Sequence, residues 1–361
     1  MQKLLDLYSD YLLSTFDQAT ATGLSKLMDG AVSHDQVSRL LSGQTLDSKD
    51  LWQTVKLLVK QHRSQTACLI FDDSIIEKPY TDENPLICWH WDHTKQVAVK
   101  GINLLSAFYH SRAPDQDLPL RIPVAFELVI KTVMFSDLKT KKVKRKAEVT
   151  KNEMMRQMIS QCIHNQLTFR YILADSWFSS ADNMLFIDRK KKYFIFDLKS
   201  NRQAALSEKD RNQGHWTRID QLSIADNTPV KVWLKDLKIP VLLTKQVFIN
   251  KDQSTGVRFL VTNDFSLSDD DFTTLYKKRW SVEEYHKSLK QNAAISQSPT
   301  RTVNTQSNHL FASIFAYTKL EQLKFTSHMN HFAMKSKLYL AAIKAAFKEL
   351  MILKNLQHAT A

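Results

Sequence analysis

The sequence predicts an α/β fold in which a mixed β-sheet core with a β-rich insertion lies between helical N- and C-terminal segments. Helical periodicity with capping patterns occupies residues 1–62, strand-length apolar runs begin near Thr66, and helical periodicity returns after about residue 300. A chain of 361 residues is long enough for two or three domains or for one elaborated core. A hydrophobic content of 43% argues against disorder.

The first 62 residues are predicted to be helical. Ser33-His34-Asp35-Gln36 has the pattern of a capping box, and its helix is predicted to end at Gly43. A further helix is predicted to start near Asp47 or Ser48. Short helices joined by a brief turn can form a DNA-reading unit like helix-turn-helix, although the pattern is also common in bundles that bind no nucleic acid.

From Thr66 onward the pattern becomes that of an α/β core. Apolar runs predict strands near 67–72, 99–109 and 121–133, then a helix near 147–164, a strand at 169–174, a helix at 179–190 and a strand at 193–198. This is the element order of an RNase H-like core with a mixed sheet. Between about 200 and 262 alternating runs predict the β-rich insertion, and Asn308–Leu323 and Phe332–Leu353 are predicted to be helices.

Two of the apolar runs end on aspartates. The run Ala67–Phe71 stops at Asp72 and Asp73, and the run Phe169–Ala174 closes on Asp175. Polar residues at the ends of buried strands are commonly site residues, although a single aspartate there is more often a turn or capping residue. Because adjacent strand residues point to opposite faces, the sequence leaves open which aspartate of the first pair faces a site.

The third acidic position, Glu283, lies in a basic segment. If this segment forms one amphipathic helix, Leu275, Val282, Tyr285 and Leu289 make its apolar face. At about 100° per residue, the opposite, polar face carries Tyr276, Arg279, Glu283, Lys287 and Lys290. The alternative interpretation of this polar face is an ordinary solvated surface, since Arg279, Glu283 and Lys287 have the i,i+4 spacing of exposed ion pairs.

These residues form the pattern of a known family. The spacing Y-(2)-R-(3)-E-(6)-K, made by Tyr276, Arg279, Glu283 and Lys290, resembles the DDE transposases of bacterial insertion sequences, in the insertion-sequence-four-like branch. The resemblance extends through Phe71–Ser74 and Leu173–Phe178 and, in general appearance, over nearly the whole chain. It implies a transposase with an RNase H-like fold that binds the ends of its insertion sequence and performs metal-dependent DNA cleavage and strand transfer.

The resemblance also implies the roles of the site residues. The catalytic and metal-binding triad would be Asp73, Asp175 and Glu283. Asp73 is preferred over Asp72 because the family's first aspartate directly precedes a small hydroxyl residue. The cofactor would be Mg²⁺, with Mn²⁺ as substitute, and two ions are expected, since in-line displacement at phosphorus is commonly served by a metal pair. DNA would be contacted by Tyr276, Arg279, Lys287 and Lys290.

The resemblance assigns functions to five segments of the chain. Residues 1–62 would be a helical DNA-binding segment, 63–199 the first part of the catalytic core, 200–262 the insertion, 263–300 the second part of the core with the Glu283 helix, and 301–361 a helical C-terminal region. The expected partner is double-stranded DNA, as element ends and as target, bound by a homodimer. Some relatives form a hairpinned DNA end held by an aromatic residue of the insertion; no spacing motif identifies Trp216 or Trp233 as its counterpart.

Composition agrees with a nucleic-acid partner. The chain has 50 Lys and Arg against 37 Asp and Glu, a net charge of +13, which favours a polyanion without choosing between DNA, RNA and an acidic membrane surface. Three cysteines without a paired motif predict a reduced, cytoplasmic protein. The resemblance implies a bacterial protein that is associated with the nucleoid when it acts. No uncharged apolar run approaches the roughly 18 residues of a membrane span, so neither secretion nor membrane insertion is expected.

Two other functions fit the same residues. A nuclease of the same fold without strand transfer would share all three carboxylates. A catalytically silent DNA-binding protein descended from a transposase is disfavoured by the presence of Asp73, Asp175 and Glu283. The segment Cys88–His93 contains metal-ligand residue types, but it lacks a second cluster with zinc spacing and is interpreted as a packed turn.

Overall fold

The computed structural model describes residues 2–113, 116–138, 141–250 and 252–359, with side chains through residue 355. The chain forms two compact units. Unit 1 comprises Met1–Val55, Ile76–Ile102 and Tyr285–Ala361, and unit 2 comprises Lys56–Ile75 and Asn103–Glu284.

The elements follow one another in chain order. The first are α1 (Gln2–Ser14), α2 (Ala21–Leu27), α3 (His34–Ser42), α4 (Ser48–Gln61), β1 (Cys68–Glu77), β2 (Cys88–Asp92), β3 (Val97–Ser111), β4 (Leu120–Leu128), β5 (Val133–Ser136) and β6 (Val143–Lys146). Next come α5 (Lys151–His164), β7 (Tyr171–Ala174), α6 (Ala181–Arg189), β8 (Tyr193–Leu198), β9 (Gln203–Ala205), α7 (Glu208–Gln213), β10 (Thr217–Arg218) and a 3₁₀ turn (Ile219–Gln221). The last are β11 (Val230–Leu234), β12 (Val241–Ile249), β13 (Thr255–Thr262), α8 (Asp269–Lys277), α9 (Trp280–Asn292), α10 (Val303–Ser327) and α11 (His331–Ala359).

Unit 1 is mainly helical, and its helix ends follow from local hydrogen bonds. The predicted capping box is confirmed: Ser33 Oγ accepts from the Gln36 N–H at 3.2 Å, and Gln36 Oε1 accepts from the Ser33 N–H at 2.8 Å. Gly43 terminates α3 as predicted. Fully buried apolar side chains from α1, α2 and α10, among them Leu12, Leu24 and Leu310, form the core of this unit.

Unit 2 is built on a large mixed sheet. Its strand order is β10-β9-β11-β12-β13-β8-β7-β1-β3. Strand β4 forms an antiparallel pair with β3. The three strands β1, β7 and β8 are parallel neighbours, and the pairs on either side are antiparallel where the register is defined. All four residues of β7 are buried, as expected for a short parallel strand covered on both faces.

Most predicted elements of the core are confirmed. The predicted strands correspond to β1, β3, β4, β7 and β8, and the predicted helices to α5, α6, α10 and α11. The strand predicted over 121–133 is too long: β4 ends at Leu128, and a separate hairpin of β5 and β6 follows. The described residues between 200 and 262 contain five strands, β9 to β13. The functional division into five segments stays a prediction.

Two further observations on the described residues concern the length of the helices and the state of the cysteines. No helix there combines the length and the apolar character that crossing a membrane requires. Cys68, Cys88 and Cys162 are buried and carry free thiols.

Candidate active site

Three aspartates occupy equivalent register positions on three neighbouring parallel strands. The register pairs Phe71 of β1 with Ala174 of β7, and Ala174 with Phe196 of β8. One residue further along each strand are Asp72, Asp175 and Asp197. Since paired positions on adjacent strands face the same side of a sheet, these side chains form a row, which we call the aspartate row.

Burial and neighbouring negative charges raise the pKa values of the aspartates in this row. Burial among protein atoms, together with the charges of Asp175 and Asp73, raises the pKa of Asp72 to about 7, although Arg279 and the Asp73 N–H oppose this rise. Burial also raises the pKa of Asp175, against the Trp177 N–H, which donates to its Oδ1 at 3.0 Å. Both carboxylates therefore lie where an additional positive charge would be stabilised.

Asp197 shares this environment. Burial raises the pKa of Asp197 to about 6; Arg258 lowers it, and the Asp175 carboxylate raises it further. The Arg258 Nε lies 4.0 Å from the Asp197 Oδ2, which is a loose ion pair. The Arg258 guanidinium also lies 5.3 Å from the ring centres of Phe248 and Tyr276.

Asp73 has a different environment from Asp72. Its Oδ1 accepts from Lys151 Nζ at 2.8 Å, and its Oδ2 accepts from Asn103 Nδ2 at 2.6 Å. Lys151 Nζ in turn lies 4.7 Å from the centre of the Trp177 ring. Both oxygens of Asp73 thus have donors from the protein, whereas Asp72 belongs to the row with Asp175. Which of the two aspartates serves as the first ligand stays open.

Glu283 is held by an arginine that also faces the aspartate row. Arg279 Nη2 lies 2.5 Å from Glu283 Oε1. The same guanidinium interacts electrostatically with all three aspartates of the row. Through Arg279, Glu283 is therefore connected to the carboxylates that follow β1, β7 and β8.

The prediction of one continuous helix over 276–290 is wrong. The segment is divided between α8, which ends at Lys277, and α9, which begins at Trp280. At the junction the Arg279 N–H donates to Tyr276 O at 2.9 Å, and the Val282 N–H donates to Arg279 O at 3.1 Å. These i to i+3 bonds form a turn at residues 278 and 279, which separates α8 from α9.

Tyr276 accordingly does not lie on an exposed polar face. It is only 5% exposed, and its hydroxyl donates to Ala174 O at 3.4 Å, next to Asp175. Burial raises the pKa of the Tyr276 hydroxyl far above its usual range, so it is a neutral donor. Sequence periodicity missed this because burial of an aromatic ring against β7 outweighs the continuation of one helix.

The two lysines of the predicted face lie on the part of α9 that belongs to unit 1. Both are exposed. Lys287 Nζ lies 5.2 Å from the centre of the Phe332 ring. Burial of its amine lowers the pKa of Lys290, while Glu77 and Asp92 oppose this effect. Of the predicted apolar face, Val282, Tyr285 and Leu289 are buried, whereas Leu275 is half-buried.

The donor chemistry of the site fits Mg²⁺. Within the described ranges no three His, Cys, Asp or Glu side chains converge closely enough to form a ready metal site. Mg²⁺, however, usually takes one or two carboxylates, with water and substrate phosphate as its other ligands. The carboxylates Asp72 or Asp73, Asp175 and Glu283 satisfy that requirement.

Four residues of this region were not identified from the sequence: Asn103, Lys151, Asp197 and Arg258. A sequence pattern existed only for Asp197, because the apolar run Tyr193–Phe196 ends on an aspartate just as the runs before Asp72 and Asp175 do. The other three come from distant positions in the chain and are brought to the site by strand pairing and helix packing.

Comparison with known proteins identifies the family. A search of curated proteins returned no match. Residues 129–319 match the family model of the transposase DDE domain. The match includes Asp175, Asp197 and Glu283 but begins after β1 and its two aspartates. Because it covers more than half of the chain, this protein belongs to the transposase DDE domain family.

Proposed function

We propose that this protein is a transposase that binds the ends of an insertion sequence, cuts them and joins the freed 3′ ends to target DNA. The observation that carries this proposal is the set of strand-end carboxylates connected by Arg279 to Glu283, in a chain with the transposase DDE domain. The net charge of +13 supports a DNA partner. We further assign the core to the RNase H-like fold and the chain to the insertion-sequence-four-like branch.

The proposed catalytic and metal-binding residues are Asp73, Asp175 and Glu283, with Asp72 as the alternative first ligand. When bound, a pair of Mg²⁺ or Mn²⁺ ions supplies activation of the attacking oxygen and stabilisation of the leaving oxygen. In the first reaction water attacks the phosphodiester and releases a 3′ hydroxyl; in the second that hydroxyl attacks a phosphodiester of the target. Neither reaction requires a covalent bond to the protein.

Basic and phenolic groups are proposed to position the DNA. Arg279 can orient Glu283 through the 2.5 Å ion pair and still direct its remaining donors to a phosphate. Lys287 and Lys290 supply exposed charge for phosphates. Tyr276, which is buried and donates its hydroxyl to Ala174 O, is proposed to act indirectly by holding the end of β7 beside Asp175. A homodimer is proposed for the DNA complex, acting in the cytoplasm.

The experiment is a cleavage and strand-transfer assay on duplexes taken from the flanks of the gene, with Mg²⁺ or Mn²⁺. Asp175→Asn and Glu283→Gln should each reduce cleavage at least 1000-fold, an order-of-magnitude expectation for loss of a metal ligand, while DNA-end binding persists. The matched control is Asp220→Asn, which removes an exposed carboxylate paired with Arg218.

Three outcomes decide between the functions. Metal-dependent cleavage with joining to target DNA supports a transposase. Cleavage without joining identifies a nuclease, and end binding without cleavage identifies a silent DNA-binding protein. Cleavage that persists in a chelator, or in the Asp175→Asn chain, rejects the metal mechanism altogether.

A further inference from the structure

The geometry points to Asp197 as an additional carboxylate of the metal site, beside Asp175. This inference rests on the proposed function and adds a residue that the Asp-Asp-Glu triad does not include. It is carried by the position of Asp197 in the sheet, by the weakness of its pairing with other groups and by its neighbours.

The position of Asp197 is determined by the parallel register. Ala174 pairs with Phe196, so the next residues, Asp175 and Asp197, stand beside each other at the carboxyl ends of β7 and β8. The Asp197 side chain has the same facing as Asp175, because paired residues of neighbouring strands project from the same side. A ligand bound by Asp175 is therefore within the reach of a second carboxylate from the adjacent strand.

Asp197 lacks the contacts of a structural aspartate. Within the described part of the chain, no side chain donates a hydrogen bond to it. The Leu198 backbone N–H provides a hydrogen bond, and its cation, Arg258, lies at 4.0 Å. The Arg258 guanidinium is itself engaged with two aromatic rings. A half-buried carboxylate in a central strand is costly unless a cation compensates it, and this ion pair is too long to do so fully.

Asp264, another aspartate of unit 2, is a buried carboxylate whose charge is fully compensated by donors from the protein. It is 3% exposed and accepts from Ser266 Oγ at 2.6 Å, from Tyr171 Oη at 2.9 Å and from Arg170 Nη2 at 3.1 Å. Such a carboxylate has no capacity for a further ligand. Asp197 has that capacity, and it lies beside a residue proposed to bind metal.

The charges around the row also favour a dication. Five carboxylates, those of Asp72, Asp73, Asp175, Asp197 and Glu283, are accompanied by three cations, Lys151, Arg258 and Arg279. Two negative charges therefore remain when all these groups are ionised. A bound dication offsets that excess. Of the five carboxylates, the triad of Asp73, Asp175 and Glu283 leaves out Asp72, which is the alternative first ligand, and Asp197.

The test is titration of the full-length chain with Mn²⁺, followed by electron paramagnetic resonance of the free ion. Asp197→Asn should weaken Mn²⁺ binding by about ten-fold or more, the scale seen when a group supporting a metal site is removed. Asp197→Glu, which keeps the carboxylate, should retain most of the affinity. Asp220→Asn, the matched control, should bind as the unchanged chain does.

A second variant tests whether Asp197 acts only by holding Arg258. If it does, Arg258→Gln should weaken Mn²⁺ binding as much as Asp197→Asn does, and that result would overturn the inference. We expect instead that Arg258→Gln leaves binding unchanged or tightens it, because it removes a competing cation. Should Asp197→Asn fail to fold, the comparison of Asp197→Glu with Arg258→Gln decides the question.

The failure of this inference differs from a failure of the proposed function. If Asp175→Asn weakens Mn²⁺ binding and Asp197→Asn does not, Asp197 is outside the metal site and the proposed function stands. If neither variant weakens binding, or if the unchanged chain binds no Mn²⁺ at millimolar concentration, the metal mechanism and this inference are both rejected.

Discussion

The two units bury titratable groups in opposite ways. In unit 1, His309 is fully buried and has a partner on each ring nitrogen: Tyr8 Oη at 2.9 Å from Nδ1, and Ala294 O at 3.0 Å from Nε2. Glu321, 2% exposed, pairs with Lys324 and with His331 at 3.1 Å. In unit 2, the aspartate row places like charges side by side.

The difference separates structural polar groups from functional ones. A buried group with complementary partners recovers much of its desolvation cost and serves the fold. Neighbouring carboxylates whose pKa values are raised by burial and by one another lower the stability of the fold, and such sites are often retained for binding or catalysis. Three measurements test this contrast.

The first concerns His309 in unit 1. Burial lowers the pKa of His309 from 6.5 to about 4, even though Ala294 accepts from its ring. As the pH falls, the unfolded chain binds the proton first, so the stabilisation is complete above about pH 6.5 and is lost between about 6.5 and 4. The loss should approach about 3 kcal/mol. This loss is measured by urea unfolding at pH 7.5 and at pH 4.5, with hydrogen exchange in α1 and α10 as the readout.

The variant His309→Gln should remove most of this pH dependence. The matched control is His34→Gln, since His34 is exposed and its loss should leave the slope unchanged. A His309→Gln chain with the full original pH dependence would show that another group causes the acid instability, and the structural role assigned to His309 would be wrong.

The second measurement compares the adjacent aspartates of unit 2. The folded pKa of Asp72, about 7, is above the usual 3.8, so its contribution to stability is present at low pH and is lost as the pH rises through about 7. Asp72→Asn should therefore stabilise unit 2 at pH 8, by on the order of 2 kcal/mol. Asp73→Asn should destabilise it by about 1–3 kcal/mol, because it leaves the Lys151 charge without its carboxylate.

Thermal unfolding at pH 8 measures both changes, with Asp226→Asn as an exposed control paired with Lys245. Effects of the same sign from both variants would contradict the different environments described for Asp72 and Asp73. Cleavage assays on the Asp72→Asn and Asp73→Asn proteins identify the first metal ligand, since only one of these two aspartates should be indispensable for cleavage.

The third and smallest effect concerns DNA binding by unit 1. Lys290→Ala should reduce the slope of the logarithm of affinity against the logarithm of salt concentration by about one ion, because one phosphate contact is lost. Lys287, the other exposed lysine proposed to contact phosphates on this face, lies outside the signature, so Lys287→Ala should change the slope less. Equal and near-unchanged slopes would mean that this face of α9 is ordinary solvated surface.

Local features of the fold were predictable from the sequence. The Ser33 capping box, the end of α3 at Gly43 and the apolar runs of β1, β7 and β8 depend on residues close to one another in the chain. The two strand-end aspartate positions and the Y-R-E-K spacing also depend on short segments. The domain match confirms the DDE transposase family. The branch implied by the Y-R-E-K spacing and the roles of Asp73, Asp175 and Glu283 stay predictions.

Other features required the tertiary structure. A hydrophobic pattern does not specify which strands are neighbours, so the alignment of Asp197 with Asp175 became visible only from the register of β7 and β8. Similarly, periodicity at 100° per residue continues through residues 278 and 279, whereas burial of Tyr276 against Ala174 divides the helix there. The sequence by itself therefore determined the elements and the chemical residue types, because these follow from local propensity and spacing. Only the tertiary structure decided which carboxylates share a face and which have partners, because those depend on contacts between residues more than 20 positions apart.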